Sequence, residues 1–411
     1  MDSLISVKEA QERILQYFQV PPAETVPLEH SLALVLAEDI TAPFDLPSFN
    51  NSSMDGFALH SEDVQSASPE QPVILKIVQD IPAGTFPVTP IHRGEAARIM
   101  TGAPVPPGAD CVVPVEHTDA YPFSQTALPG EVRIFAPAHP GQYVRRKGQD
   151  LQAGEPIIRS GTQITPQDIG LLASVGKTEV RVFPRPRVVL FSSGNEIVPP
   201  GQPLEPGKIY DSNLPMLTAL LKAHGALAIP LGVLRDDPEE ILQSLEQGIE
   251  HHPAFILTSA GVSVGTYDFV RRVVEENGTL NFWRVNMRPG KPLAFGLFKN
   301  IPFIGLPGNP VSSFVGFTVF VVPILKKLSG LPPTPPPPQT AILEEAIESD
   351  GRESYLRGNV TLTPTGYRAK LEGHQGSGNL TSLSKANALL ILPSGVKSLP
   401  AGTEVNFWFI R

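Results

Sequence analysis

Between residues 186 and 330, short continuous apolar runs alternate with stretches whose apolar positions recur every three or four residues. RVVLFSSG, ALAIPLGVL and AFILTSAG read as strands buried on both faces. DSNLPMLTALLKAHGA, DDPEEILQSLEQGIE and FVRRVVEENG read as amphipathic helices between them, and PGNPVSSFVGFTVFVVPILKKLSG closes the series. In the first helix Ser212 or Asn213 stands near the N-cap, Pro215 in the first turn and Gly225 at the stop. Strand and helix in strict alternation predict a mostly parallel sheet covered by helices on both faces.

The texture changes on either side. Residues from about 45 to 145 are rich in Pro, Gly and short β-like runs (VILKIVQ, AARIM, DCVVPVEHT), which predicts a β-rich module. LPPTPPPPQ at 331–339 must be extended and semi-rigid, so it sets off a C-terminal unit. Short alternating segments beyond it, at 355–363 and 388–392, are broken by Gly and Pro and read as a small β domain. The N-terminal MDSLISVKEAQERIL is an amphipathic helix with Ser6 and Glu9 spaced as a capping box. No repeat of fixed period is visible, and 411 residues suggest three or four domains.

Composition narrows the partners. A net charge of −9 argues against general affinity for nucleic acid or acidic membranes, which need a basic surface. The single cysteine, Cys111, excludes an internal disulfide framework and a thiolate-rich metal site, and beside Val112 and Val113 it reads as a small buried hydrophobe. The most apolar stretch, 311–325, is shorter than a bilayer span and contains Ser312, Ser313, Thr318 and Pro323. These features predict a soluble, cytoplasmic protein with no nucleic-acid or membrane partner.

Ligands of open α/β sheets bind at the carboxyl ends of the strands, so the strand-exit loops carry the candidate chemistry. Four stand out: SSGNE (192–196), LRDDP (234–238), TSAGVSVGTYD (258–268) and PGNPVSS (307–313). Their small residues, among them Ser259, Gly261, Ser263, Gly265, Pro307, Gly308, Asn309 and Ser312, let backbone N–H groups approach an oxyanion or phosphate. Glu196, Asp236, Asp237 and Asp268 are hard oxygen donors suited to Mg²⁺ bridging phosphates, although any one of them could equally be a solvated cap. NFWRVNMRPGKP supplies the cations Arg284, Arg288 and Lys291, with Trp283 able to stack on a flat ring or to sit in the core. VRRKGQD (144–150) reads as a solvated basic run, and His374 in GHQGSG as a hydrogen-bonded turn residue.

The motifs SSMDGFA, RIMTGAPVPPGAD, RRKGQD, FSSGNE, KIYDSN, RDDP, GVSVGTYD, RPGKP, GLPGNPVSS and GHQGSG run in the order found in the MoeA and gephyrin E-domain family. Over nearly its whole length the chain resembles these molybdopterin molybdenumtransferases. The resemblance implies a discontinuous domain I (1–45 and 145–182), an inserted β-rich domain II (46–144), a central MogA-like α/β domain III (183–330) and a C-terminal β domain IV (331–411). It implies insertion of molybdate at the dithiolene of adenylylated molybdopterin, with Mg²⁺-dependent release of AMP. It also implies an elongated homodimer that meets the upstream adenylyltransferase transiently.

By that resemblance Glu196, Asp236 and Asp268 surround Mg²⁺ and AMP, and the 258–268 loop cradles the substrate's phosphates. Arg284, Arg288, Lys291 and Ser312 bind pterin phosphate or molybdate, and Arg357 and Ser377 close the molybdate pocket. Asp55, Thr101, Arg145 and Asp150 match functional positions that lie near the second subunit's site. Three departures stand out. Ala260 replaces a usual glycine, so the loop there must have negative φ or accept strain. Asn195 replaces the aspartate of a GDE triplet and so removes a possible metal ligand. Arg284 and Arg288 stand where lysine is common, exchanging a point charge for a planar fork.

Two other readings fit parts of the chain. A non-catalytic, gephyrin-like scaffold gripping partner peptides has no need of the acidic loops. An adenylyltransferase or nucleotide pyrophosphatase built on the α/β domain alone has no need of SSMDG and GHQGSG.

Overall fold

The structure is a computed structural model that describes residues 4–123, 128–260, 269–335 and 337–411. The chain forms two compact units: Met1–Glu38, Gly161–Ile169 and Glu179–Arg411 make one, and Asp39–Ser160 and Gly170–Thr178 the other. The first unit opens with α1 (Val7–Leu15), where Ser6 Oγ accepts the Glu9 N–H at 3.1 Å as the capping spacing predicts. Val7, Ala10 and Ile14 make its buried stripe.

The second unit is built on a sheet of β1 (Gly56–Leu59), β2 (Val73–Ile81), β3 (Glu95–Ile99), β4 (Cys111–Pro114) and β5 (Glu131–Ile134), in the order β4-β1-β3-β2-β5. Only the β2–β3 pair is parallel. Phe57, Leu59, Leu75, Val113 and Ile134 fill its core. Cys111 is buried among them, and burial raises its thiol pKa to about 12, which leaves it inert as the sequence suggested.

In the first unit the α/β series runs β6 (Arg187–Ser193), α2 (Asn213–Ala223), β7 (Leu227–Leu234), α3 (Pro238–Ile249), β8 (Phe255–Ser259) and α4 (Phe269–Glu276). It continues through β9 (Gly278–Arg284), β10 (Met287–Arg288), β11 (Pro292–Phe298), β12 (Ile301–Leu306), α5 (Pro310–Gly316) and α6 (Val322–Leu328). The sheet order is β7-β6-β8-β12-β11-β9. Its first four strands are parallel, whereas β11 and β9 are antiparallel additions. The reason is connection length. The link from β9 to β11 is too short for a parallel crossover, and β11 turns into β12 through Lys299 and Asn300, both at positive φ as a two-residue hairpin requires.

Alternate residues of the parallel strands face opposite layers. Val188, Leu190, Phe255, Leu257 and Ile304 join Leu217 and Leu221 of α2 with Val315 and Ile324 of α5 and α6. Val189, Phe191, Ile256 and Phe303 join Ile241 and Leu245 of α3 with Val270 and Val274 of α4. The apolar stretch read at 311–325 is longer than the sequence suggested. Pro310–Leu328 is a continuous 19-residue helix, long enough to cross a membrane, but most of it is buried in the fold and it is a core helix. A π turn at Phe317–Val321 widens it just ahead of Pro323, which has no N–H to give and would crowd a regular α-helical carbonyl.

The C-terminal strands β13 (Gln339–Leu343), β14 (Glu353–Thr363), β15 (Gly366–Leu371), β16 (Ala388–Leu392) and β17 (Glu404–Phe409) pair in the order β14-β15-β13-β17-β16. A β14–β16 pairing closes them into a small barrel, with α7 (Leu380–Lys385) between β15 and β16 in the chain. Leu343, Leu356, Val360, Leu390 and Phe407 fill it. The start of β14 also pairs in parallel with β10, matching Met287 to Glu353 and Arg288 to Ser354. That seam joins the α/β layers to the barrel and builds the site.

Candidate active site

The exits of β6, β7, β8 and β12 form a polar rim. Ser192 and Ser259 share a hydroxyl hydrogen bond of 2.9 Å, while Ser193 Oγ and Thr258 Oγ1 are buried without a partner among the described residues. Asn195 and Asp236 bind one another reciprocally: Asn195 N–H donates to Asp236 Oδ2 and Asp236 N–H to Asn195 Oδ1, each at 3.2 Å. Asn195 therefore aims Asp236 across two strand exits. Asp237 is a helix cap, its Oδ1 accepting the Glu239 and Glu240 N–H groups at 2.8 and 3.3 Å. Glu196 folds back over Gly194, and Gly194 has φ +148°, a backbone conformation that side-chain-bearing residues rarely adopt, so the turn favours glycine.

At the start of α2 the capping side chain is neither Ser212 nor Asn213 but Asp211. Its Oδ1 accepts the Asn213 and Leu214 N–H groups at 2.9 and 3.1 Å, and its Oδ2 is buried without a partner among the described residues. Asn213 instead donates from Nδ2 to Gly308 O at 2.7 Å, tying the helix to the PGN turn. Ala260 has φ +80°, so the chain accepts strain there rather than negative φ. Its N–H binds Leu306 O at 3.0 Å, beside Gly308. Gly261, Ser263, Gly265 and Asp268 lie outside the described residues.

The cationic residues converge on one cavity of about 340 Å³, lined by Arg288, Lys291, Asn309, Ser312, Arg352, Arg357, Gln375 and Ser377 together with Tyr355 and the Pro289–Gly290 turn. Gly290, at φ +105°, lets that turn pass between Met287 and the Ser312 carbonyl. Arg357, 1% exposed, has only neutral partners among the described residues: Ser382 Oγ at 2.8 Å, His374 O at 2.8 Å and Gly376 O at 3.2 Å. Burial, and then the nearby Arg288, lower its pKa from the ordinary arginine value. A buried guanidinium without a carboxylate is costly unless an anion joins it. Asn309 Nδ2 donates to Ser377 Oγ at 3.0 Å and Val311 N–H to Ser377 O at 3.1 Å, anchoring the 375–377 loop to α5. His374 Nδ1 accepts the Gly376 N–H at 3.2 Å, the local turn bond expected of it.

Sequence reasoning missed Arg352, Gln375 and Asp211. Arg352 binds Asp350 through Nε at 3.0 Å and Met287 O through Nη1 at 3.0 Å, which fixes the strand that carries Arg288. Gln375 brackets the Arg357 backbone with two bonds of 3.0 Å. The D-G-R spacing at 350–352, an acid two residues before an arginine, was the available signal for Arg352. Arg284 is placed apart: it pairs with Pro292 across β9 and β11 and does not line the cavity. Trp283 stacks under Arg271, whose guanidinium is 4.8 Å from the ring centre. In the second unit Asp55 Oδ1 accepts both N–H and Oγ1–H of Thr101 at 2.7 Å, and Arg145 pairs with Asp150.

Among the described residues no three Asp, Glu, His or Cys side chains gather as a metal cage. Glu196 and Asp236 still fit Mg²⁺, which takes one or two carboxylates and completes its shell with waters and substrate phosphates. Asp236 Oδ1 is free of the Asn195 bond.

Three family models cover the chain in order: the MoeA N-terminal region (domain I and II) at residues 5–176, the probable molybdopterin binding domain at 189–327 and the MoeA C-terminal region (domain IV) at 340–410. Molybdopterin molybdenumtransferase 2 of Mycobacterium tuberculosis is 37% identical over 409 residues, 98% of this chain and 99% of its own. The molybdopterin molybdenumtransferase of a Nostoc species is 38% identical over 389 residues, 93% and 87% of the two chains. The solved structure of the molybdopterin biosynthesis protein MoeA from Pyrococcus horikosii matches with TM-score 0.80 and 34% identity, covering both chains completely. The chain belongs to the MoeA family of molybdopterin molybdenumtransferases, enzymes of molybdenum cofactor biosynthesis.

Proposed function

We propose that the cavity at the β10–β14 seam binds molybdate and that adenylylated molybdopterin lies along the strand exits. One observation carries this reading: Arg357 is buried with no carboxylate partner among the described residues, in a cavity shared with Arg288 and Lys291. Arg288 and Lys291 attract the dianion, Ser312 and Ser377 orient it, and Arg352 positions Arg288 through the Met287 carbonyl. Ser259, Pro307, Gly308 and Asn309, with Gly261, Ser263 and Gly265 of the loop outside the described residues, border the phosphates. Glu196, Asp236 and Asp268 would hold Mg²⁺, which supplies charge screening for those phosphates. Cleavage of the phosphoanhydride releases AMP and makes insertion effectively irreversible.

We further propose the four-domain division given above, a cytoplasmic homodimer, and a transient contact that passes the adenylylated substrate from the upstream adenylyltransferase. Asp55, Thr101, Arg145 and Asp150 then serve the partner's site, and Arg284 stays at its periphery. The test combines purified protein with adenylylated molybdopterin, molybdate and Mg²⁺, and follows AMP and active cofactor. Wild-type protein should yield both, and Lys291→Gln should demand far more molybdate. AMP release with no dependence on molybdate, in either protein, would sink the reading.

A further inference from the structure

The described lining of the cavity offers donors and no charged acceptor. Arg288, Lys291 and Arg357 supply its charge, and among its described lining residues there is no aspartate or glutamate. Two acids close by are engaged: Asp350 by Arg352, and Glu353 Oε1 by the Tyr355 hydroxyl at 2.5 Å. The hydroxyls point the same way. Ser377 Oγ already accepts from Asn309 Nδ2 at 3.0 Å, so its hydrogen remains for the cavity. Ser312, 3% exposed, has no side-chain hydrogen bond among the described residues. The nearest carbonyl acceptors already serve Arg357: the His374 and Gly376 carbonyls take its guanidinium and Gln375 Oε1 its backbone N–H.

We propose, resting on the molybdate-site reading, that this cavity selects its anion by protonation state, taking a fully deprotonated tetrahedral dianion and rejecting phosphate. Molybdate, tungstate and sulfate present only acceptor oxygens at neutral pH. Phosphate still carries a proton there, and an O–H facing an N–H or O–H donor leaves both unpaired. Leaving such a group unsatisfied in a buried site costs about 1–3 kcal/mol, which is on the order of tenfold or more in affinity. Neutral acceptors remain in Asn309 Oδ1 and the hydroxyl oxygens of Ser312 and Tyr355, but none matches a carboxylate for a phosphate proton. At about 340 Å³ the cavity exceeds all three dianions, so size does not separate them. Sulfate is then the competitor this site cannot exclude.

The experiment is equilibrium dialysis of the full chain with molybdate at fixed ionic strength near neutral pH, followed by displacement with tungstate, sulfate and phosphate. Tungstate and sulfate should displace at comparable concentrations, and phosphate should need on the order of tenfold more or beyond. Asn309→Asp, which sets a carboxylate acceptor beside Ser377, should narrow the gap between sulfate and phosphate; an unchanged gap overturns the acceptor argument. If phosphate displaces as well as sulfate while Lys291→Gln abolishes molybdate binding, the selectivity inference fails and the molybdate site stands. If Lys291→Gln leaves molybdate binding intact, the site reading fails and the inference falls with it.

Discussion

Ala260 occupies a backbone conformation that glycine adopts without strain, at the mouth of the central strand and beside Gly308. Replacing it with glycine relieves about 1–2 kcal/mol of left-handed strain and adds about 0.5–1 kcal/mol of unfolded-state entropy. Ala260→Gly should therefore raise stability by up to about 1.5 kcal/mol in denaturant melts and leave turnover within a few-fold; a fall in stability would mean the alanine methyl makes packing that outweighs the strain. Asp236 is tested by a subtler change. Asp236→Asn keeps an oxygen to accept the Asn195 N–H but removes the charge, so the fold should survive while the Mg²⁺ response of AMP release is lost. An unaltered Mg²⁺ titration would release Asp236 from the metal role. Arg288 and Lys291 were legible in the sequence because chemistry and position coincide there, whereas Arg357 was reached only through the family resemblance; all three line one cavity. Asp211 and Arg352 were not legible, because their importance lies in which neighbours they bind, and no spacing rule reports that.

The alternation of buried strands and amphipathic helices was readable because a strand covered on both faces must be apolar throughout, and a helix covering it must be apolar on one side. The antiparallel β9–β11–β12 part was less readable, since its strands are as apolar as the parallel ones and only the short links between them differ. The barrel closure and the β10–β14 seam were not readable at all, being pairings between distant segments. One helix end makes a measurable prediction. His224 follows α2 as its C-cap, with its ring 5.8 Å from Phe317, and burial and then Lys326 lower its pKa. The unfolded chain therefore takes up this proton more readily than the folded one. The contribution of His224 is complete above the unfolded value of about 6.5 and is lost as pH falls from there through the lowered folded value. Comparing wild type with His224→Gln in denaturant melts from about pH 7.5 to about pH 5.5, a range that brackets the ordinary histidine value, the wild-type advantage should shrink toward acid. Parallel curves would assign the pH dependence to other groups.

At the scale of the molecule, four of the functional residues implied by resemblance, Asp55, Thr101, Arg145 and Asp150, belong to one compact unit, and the cavity and strand-exit acids belong to the other. In the second unit Asp55 is held by two 2.7 Å bonds from Thr101, an arrangement that fixes the carboxylate firmly and leaves Oδ2 without a bond to Thr101. Under the proposed homodimer, two-fold symmetry makes two equivalent sites, each taking its strand-exit loops from one chain and its Asp55 side from the other. Asp55→Ala and Asp236→Asn should then be inactive separately and complement when mixed. In a heterodimer one site receives both defects and the other neither. Random pairing makes half of the dimers heterodimers with one good site of two, so about a quarter of wild-type activity should return. The measurement is cofactor formation after co-refolding equal amounts of the two variants, with native mass spectrometry to count the heterodimers. Activity that stays at the single-variant background while heterodimers form would mean that Asp55 serves its own chain, and the shared-site geometry would have to be abandoned.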